Sequence, residues 1–183
     1  MQINKKMRSK QLSLRPQDIV ILLKKISPSG WSMDGKQLAA SLNISQSEVS
    51  ESLARSKVSG LLDSYRGVVN TCALRDFLVY GIRYVFPAVP EGIVRGMSTG
   101  ASAGPMAGKL VSGSESFVWP SATGKDRGQA ITPLYPTVPA AAERDSDLYA
   151  LLAATDAFRF GRVREREIAI GILDHYFLKY VEQ

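Results

Sequence analysis

From Leu14 to Gly60 the apolar residues fall into three helical sets separated by short polar breaks. Leu14, Ile19, Leu22, Leu23 and Ile26 predict a first helix from about Arg15 to Ile26, with Pro16 in a first-turn position and Ser27-Pro28-Ser29-Gly30 as its stop. Ser32 can cap the next helix, and Trp31 can pack back on the bundle. Leu38, Ala39, Leu42, Ile44, Val49 and Leu53 then share one core if a short helix ends near Leu42, turns at Asn43-Ile44-Ser45, and a further helix runs from Ser45 to about Ser59. Ser45 and Glu48 have the spacing of a capping box, worth about 1 kcal/mol. The same helix carries an outward row of small polar side chains, Gln46, Ser47, Ser50 and Ser52. A helix, a tight turn and a second helix with such a face form a helix-turn-helix pattern, whose second helix lies in the DNA major groove.

After Gly60, two short apolar pairs flank the polar tip Asp63–Gly67, which predicts a small β-hairpin with Arg66 at its end. Placed directly after a recognition helix, such a hairpin is a wing. Asn70 can cap a following helix from Thr71 to about Tyr84, and Cys72 is expected in its core. Residues 87–139 differ in character: they hold seven of the nine prolines and eight of the fifteen glycines, with no sustained helical period. Ser116–Trp119 and Gln129–Ile131 read as two short strands around a basic loop, and Leu134–Pro139 as an extended run. Helical spacing returns with Leu148, Leu151, Leu152, Thr155 and Phe158, capped by Asp145 or Ser146, and again from Val163 to Val181. Ile168, Ile172, Leu173, Tyr176, Phe177 and Tyr180 give that last helix a wide apolar face, suited to closing the core or to meeting a second subunit.

The fold class that follows is mainly α with a small β component. Its parts are a basic N-terminal arm over 1–13, a winged helix-turn-helix over 14–86, an irregular Pro/Gly-rich segment with a short hairpin over 87–140, and a C-terminal helical pair for dimerisation over 141–183.

Charge sharpens this picture. Residues 1–60 contain ten Lys/Arg against four acids, so the whole excess of +6 sits on the section with the helix-turn-helix pattern. A polyanionic partner explains such a bias, and Lys5, Lys6, Arg8 and Lys10 can form an arm tracking a nucleic-acid backbone. No apolar run approaches the roughly 20 residues needed to span a bilayer, and the N-terminus lacks the apolar stretch of a signal peptide. The single Cys72 suits a reducing cytoplasm, with the protein gathered at the nucleoid if it binds DNA.

Catalytic patterns are absent. One histidine, His175, and one cysteine exclude the usual His/Cys metal clusters, so no metal or cofactor is expected. Gly108-Lys109 and Gly124-Lys125 lack the glycine and hydroxyl positions of a phosphate-binding loop. The expectation is a protein that is not an enzyme.

KQLAASLNISQSEVSESL at 36–53, the preceding helix, and Gly60-Leu61-Leu62 leading into a hairpin resemble bacterial winged helix-turn-helix regulators, loosely of the MarR type, over Leu14 to about Asn70. The resemblance implies base-edge contacts from Gln46, Ser47, Ser50 and Glu51 at the helix that Ser45 begins, and phosphate contacts from Ser32, Lys36, Arg55 and Arg66. Gln46 can pair bidentately with adenine, and Glu51 would prefer a cytosine amino group. The implied activity is sequence-specific binding of double-stranded DNA by a transcriptional regulator, most simply a homodimeric repressor. The alternative is an adaptor or antitoxin-like component that binds a partner protein through residues 87–140.

Overall fold

The computed structural model describes residues 13–107 and 116–182. The basic cluster Lys5, Lys6, Arg8 and Lys10 lies outside the described residues, as do Gly108 and Lys109. The chain is mainly helical with one small sheet, the α+β class that the apolar spacing predicts.

Three helices open the chain: α1 Pro16–Ile26, α2 Gly35–Leu42 and α3 Gln46–Val58. Pro16 stands in the first turn of α1, where a missing amide hydrogen costs nothing. The helix α2 is capped by Asp34, not by Ser32: the Asp34 carboxylate accepts from the Gln37 amide at 2.8 Å, and the Gln37 side chain returns to the Asp34 amide at 2.9 Å. That reciprocal pair satisfies two otherwise orphaned donors and outcompetes a cap two residues earlier. Trp31 packs on the bundle as expected, its indole donating to the Ile26 carbonyl at 2.7 Å.

Leu62 and Val69 then form a single antiparallel bridge, closed by the Asp63 amide to the Val68 carbonyl at 2.8 Å and the Asn70 amide to the Leu61 carbonyl at 2.9 Å. Gly67 takes a positive φ of 66° at the tip. Asn70 caps α4 Thr71–Asp76, which continues through a π-helical turn, Phe77–Gly81, into α5 Ile82–Val85. Leu74, Leu78 and Ile82 are buried on its inner side. Cys72 lies on the other side and is exposed, contrary to its expected place in the core.

The Pro/Gly-rich section contains more order than its composition announces. Strands β1 Ile93–Ser98, β2 Phe117–Pro120 and β3 Asp126–Ala130 close on one another in a minimal barrel, with the short helix α6 Gly104–Ala107 between β1 and β2. The two strands expected around the basic loop do exist, but they pair in parallel, not as a hairpin. Antiparallel partners for both come from β1: Met97 faces Trp119 and Val94 faces Gly128. Glycine permits this closure. A Cβ on Gly96 would stand 2.0 Å from the Trp119 carbonyl oxygen, and one on Gly124 would stand 2.2 Å from the Gly96 backbone.

Beyond the sheet, the run expected to be extended turns helical at α7 Val138–Arg144, with Pro139 in its first turn. Two long helices follow, α8 Ser146–Phe160 and α9 Val163–Val181, within a residue or two of the ends their periodicity predicts. The Asp145 carboxylate caps α8 by accepting from the amides of Asp147 and Leu148 at 3.1 and 3.0 Å. Nearly all of α8 is buried, from Leu148 to Arg159. One apolar core gathers side chains from Ile19 in α1 to Tyr180 in α9. The apolar stripe of α9, expected to serve as well for a dimer contact, is spent inside the chain: Ile172, Leu173, Phe177 and Tyr180 are buried.

Polar anchors fix how the sections meet. Lys24 on α1 pairs with Asp145 at 2.6 Å, and the Thr137 hydroxyl donates to the Leu42 carbonyl at the end of α2 at 2.7 Å. The Tyr180 hydroxyl accepts from the Val69 amide at 3.0 Å, so the last helix holds the bridge after α3. Under the sheet, Asp156 accepts from the Trp119 indole at 2.6 Å and the Thr99 hydroxyl at 2.8 Å, and pairs with Arg159 at 2.7 Å.

Candidate nucleic-acid interface

The turn between α2 and α3 is built from three residues with separate tasks. Asn43 takes the left-handed conformation, φ 53°, that ends α2 and lets its amide reach the carbonyls of Ala39 and Ala40. Ile44 drops into the core at 6% exposure, and Ser45 starts α3 by accepting from the Glu48 amide at 3.2 Å. Only half of the expected capping box forms. The Glu48 carboxylate is drawn instead to Arg55, to Gln17 at 3.1 Å and to Arg15 at 3.6 Å. Its hydrogen bond with the Arg55 guanidinium holds it below the ordinary glutamate value, against the opposing effect of burial.

The exposed start of α3 brings together Ser45, Gln46, Ser47 and Ser50, with Ser45 and Ser47 hydroxyls 3.1 Å apart. Glu51 is exposed beside them, 3.5 Å from Arg55. Ser32 and Lys36 are exposed ahead of and within the first turn of α2, and Arg66 is 79% exposed at the hairpin tip, 3.8 Å from Asp63. The Asp63 carboxylate fixes that tip by accepting from the amides of Tyr65 and Arg66 at 3.0 and 2.6 Å, and these bonds lower its pKa.

Two expectations fail on this helix. Arg55, expected on phosphate, keeps only 4% of its side chain exposed and grips Asp18 of α1 through Nε and Nη2 at 2.9 and 2.7 Å. The carboxylate raises the already high pKa of the guanidinium, which stays a charged strut between α1 and α3. Ser52 belongs to the inner face as well: with Ser56 it is fully buried. Counting residue types missed this, whereas the i, i+3, i+7 spacing of Val49, Ser52 and Ser56 carries the signal.

The same spacing identifies a residue that sequence reasoning passed over. Lys57 is exposed on the outer side of α3, two turns beyond Ser50. Tyr65, 99% exposed at the hairpin tip, is another, and no local pattern announces it. The charge balance also changes. Arg15, Lys24 and Arg55 are committed to carboxylates, and Asp145 on Lys24 comes from a distant part of the chain. Among the described residues of the first sixty, Lys36 and Lys57 remain as exposed cations, and Lys25 is half-buried, with its pKa lowered by burial.

Among the described residues no group of three or more His, Cys, Asp or Glu side chains is arranged to hold a metal ion, and no helix is long and apolar enough to cross a membrane. No protein-family model, curated protein or solved structure matches this chain.

Proposed function

We propose that this protein is a winged helix-turn-helix regulator that binds double-stranded DNA in a sequence-specific manner through α3 and acts as a dimeric, non-catalytic repressor at the nucleoid. The observation that carries this reading is the uncovered outer side of α3. Its Ser45 cap, its Gln46, Ser47 and Ser50 side chains and its Lys57 are all exposed, while Val49, Ser52, Arg55 and Ser56 lock the opposite side onto the bundle. A rigidly held helix with a short polar face fits a groove of about 12 Å width, and the Leu62–Val69 bridge that follows α3, with Arg66 exposed at its tip, supports reading that hairpin as a wing.

The chemistry assigns roles. Gln46 reads adenine, Ser47 and Ser50 accept or donate to bases or phosphates, and Lys36, Lys57 and Arg66 hold the backbone. Glu51, partnered loosely by Arg55, disfavours bases that present only acceptors. Lys5, Lys6, Arg8 and Lys10 add sequence-independent affinity for the phosphate backbone.

The test is binding of a labelled fragment from upstream of the protein's own gene, against random duplex, across a salt series. The expected result is a preference for the upstream fragment that survives rising salt, with a slope of about 0.9 per phosphate contact. Gln46→Ala with Ser47→Ala should cost roughly 1–3 kcal/mol of discrimination per lost base contact while the circular dichroism spectrum stays unchanged. Equal, salt-labile binding to both duplexes, or none, overturns the reading.

A further inference from the structure

The helix formed by α4, the π turn and α5 keeps two straight rows. Leu74, Leu78 and Ile82 are buried, and Cys72, Asp76, Tyr80 and Tyr84 are exposed. A spacing of four drifts by about 40° per step around a plain α-helix. The widened turn at Phe77–Gly81 takes up that drift, so the outer row stays aligned as well as the inner one.

The second half of that outer row is aromatic where a solvent-facing row should be polar. Tyr80 is 67% and Tyr84 78% exposed, and the chain runs on through Val85, Val89 and Ile93 at 51%, 72% and 69%. Five of the eleven exposed large hydrophobic side chains among the described residues fall within this one stretch. Such a concentration marks a contact surface, and tyrosine is a preferred residue at the centre of one. The α9 stripe, already inside the core, leaves only Val163, Leu178 and Val181 exposed on its own helix.

The charges indicate what covers it. Asp76 is exposed one turn before Tyr80, and Arg83 stands one turn after it, its guanidinium 5.7 Å from the Tyr84 ring. An acid at one end, a base with Tyr84 at the other and Tyr80 between them make a face complementary to itself in antiparallel orientation. We propose that this face is the two-fold contact of a homodimer. Tyr80 of each copy meets Tyr80 of the other, and Asp76 of each copy lies against Arg83 and Tyr84 of the other. The proposal rests on the dimeric part of the reading above and not on its DNA-binding part.

Light scattering of the purified chain without DNA tests it. The expected mass is twice 20.0 kDa, falling to the single-chain value in Tyr80→Glu with an unchanged circular dichroism spectrum. Asp76→Arg should weaken the dimer on the order of tenfold, and Asp76→Arg combined with Arg83→Asp should restore it. If Tyr80→Glu does not fold, the charge-reversal series decides alone. A single-chain mass for the unaltered protein up to its solubility limit overturns the proposal. So does a dimer untouched by Tyr80→Glu, or one that the double reversal fails to restore. Because no DNA is present, failure here is separate from failure of the DNA-binding reading.

Discussion

Two buried arginines hold this molecule together, and they do so in different ways. In the N-terminal bundle Arg55 spans one helix–helix contact, from α3 to Asp18 of α1, with Glu48 and Glu51 alongside from its own helix. In the C-terminal half Arg159 collects the carbonyls of Phe86, Pro87 and Thr132 at 2.8, 3.4 and 3.1 Å, as well as Asp156. Asp156 in turn holds Trp119 and Thr99. The first arrangement pins two elements that would already pack by their apolar faces. The second organises several stretches of chain with no common period, so there the polar cluster takes the place of a repeating pattern.

Breaking either pair should produce the largest effects. Arg55→Ala and Asp156→Ala each strand a buried charge and should cost about 3–5 kcal/mol in urea unfolding. The double substitutions separate the two designs. Asp18→Leu with Arg55→Met should recover much of the loss, because Glu48 keeps Gln17 and Arg15 and is itself part-exposed, and one further bond is lost, that from the Arg15 amide to Asp18 at the start of α1. Asp156→Leu with Arg159→Met should not. It leaves the Trp119 indole, the Thr99 hydroxyl and three backbone carbonyls without partners, at about 1–3 kcal/mol for each buried group. Equal recovery in the two cases would remove the distinction.

Acid should loosen the N-terminal bundle and its joint to α8. For Asp145, burial alone would push the carboxyl up. The Leu148 amide, Lys24 and Ser29 outweigh it and leave the value below the ordinary 3.8. Glu48 is likewise held below 4.5. Both groups are depressed in the folded chain, so their stabilisation is complete above the ordinary values and is lost as pH falls through the depressed ones. Urea midpoints should therefore decline below about pH 4.5, and Asp145→Asn should flatten part of that decline while lowering stability at neutral pH. A decline identical in Asp145→Asn and the unaltered chain would remove Asp145 from the account.

The smallest expected effect tests the link between the halves. Tyr180→Phe deletes the acceptor of the Val69 amide and should cost about 1 kcal/mol. Hydrogen exchange should speed up at Val69 while the core amides of α8 keep their protection; unchanged exchange at Val69 would show that the bridge stands without α9.

Much of the helical skeleton was legible because its signals are local. The ends of α1, α3, α8 and α9 and the Asn70 cap follow from apolar spacing and nearby stop residues. The exposed group at the start of α3 was legible for the same reason, since Ser45, Gln46, Ser47 and Ser50 lie within two turns of one helix. The three-stranded closure was not, because β1 alternates weakly and its one glycine, Gly96, matters only against Trp119 and Gly124, which lie farther along the chain.

By itself, then, the sequence determined where helices start and stop and which short run turns sharply enough to present a polar helix face. Backbone capping and apolar period act over a few residues, and a few residues suffice to read them. Only the tertiary structure decided which charges remain on the surface. Arg55 and Lys24 count toward a basic N-terminal third until Asp18 and Asp145 take them inside. Ion pairs between separate elements, such as Lys24 with Asp145, are formed by distance in space, and unlike the i, i+3 and i, i+4 pairs within a helix they leave no mark in the local spacing.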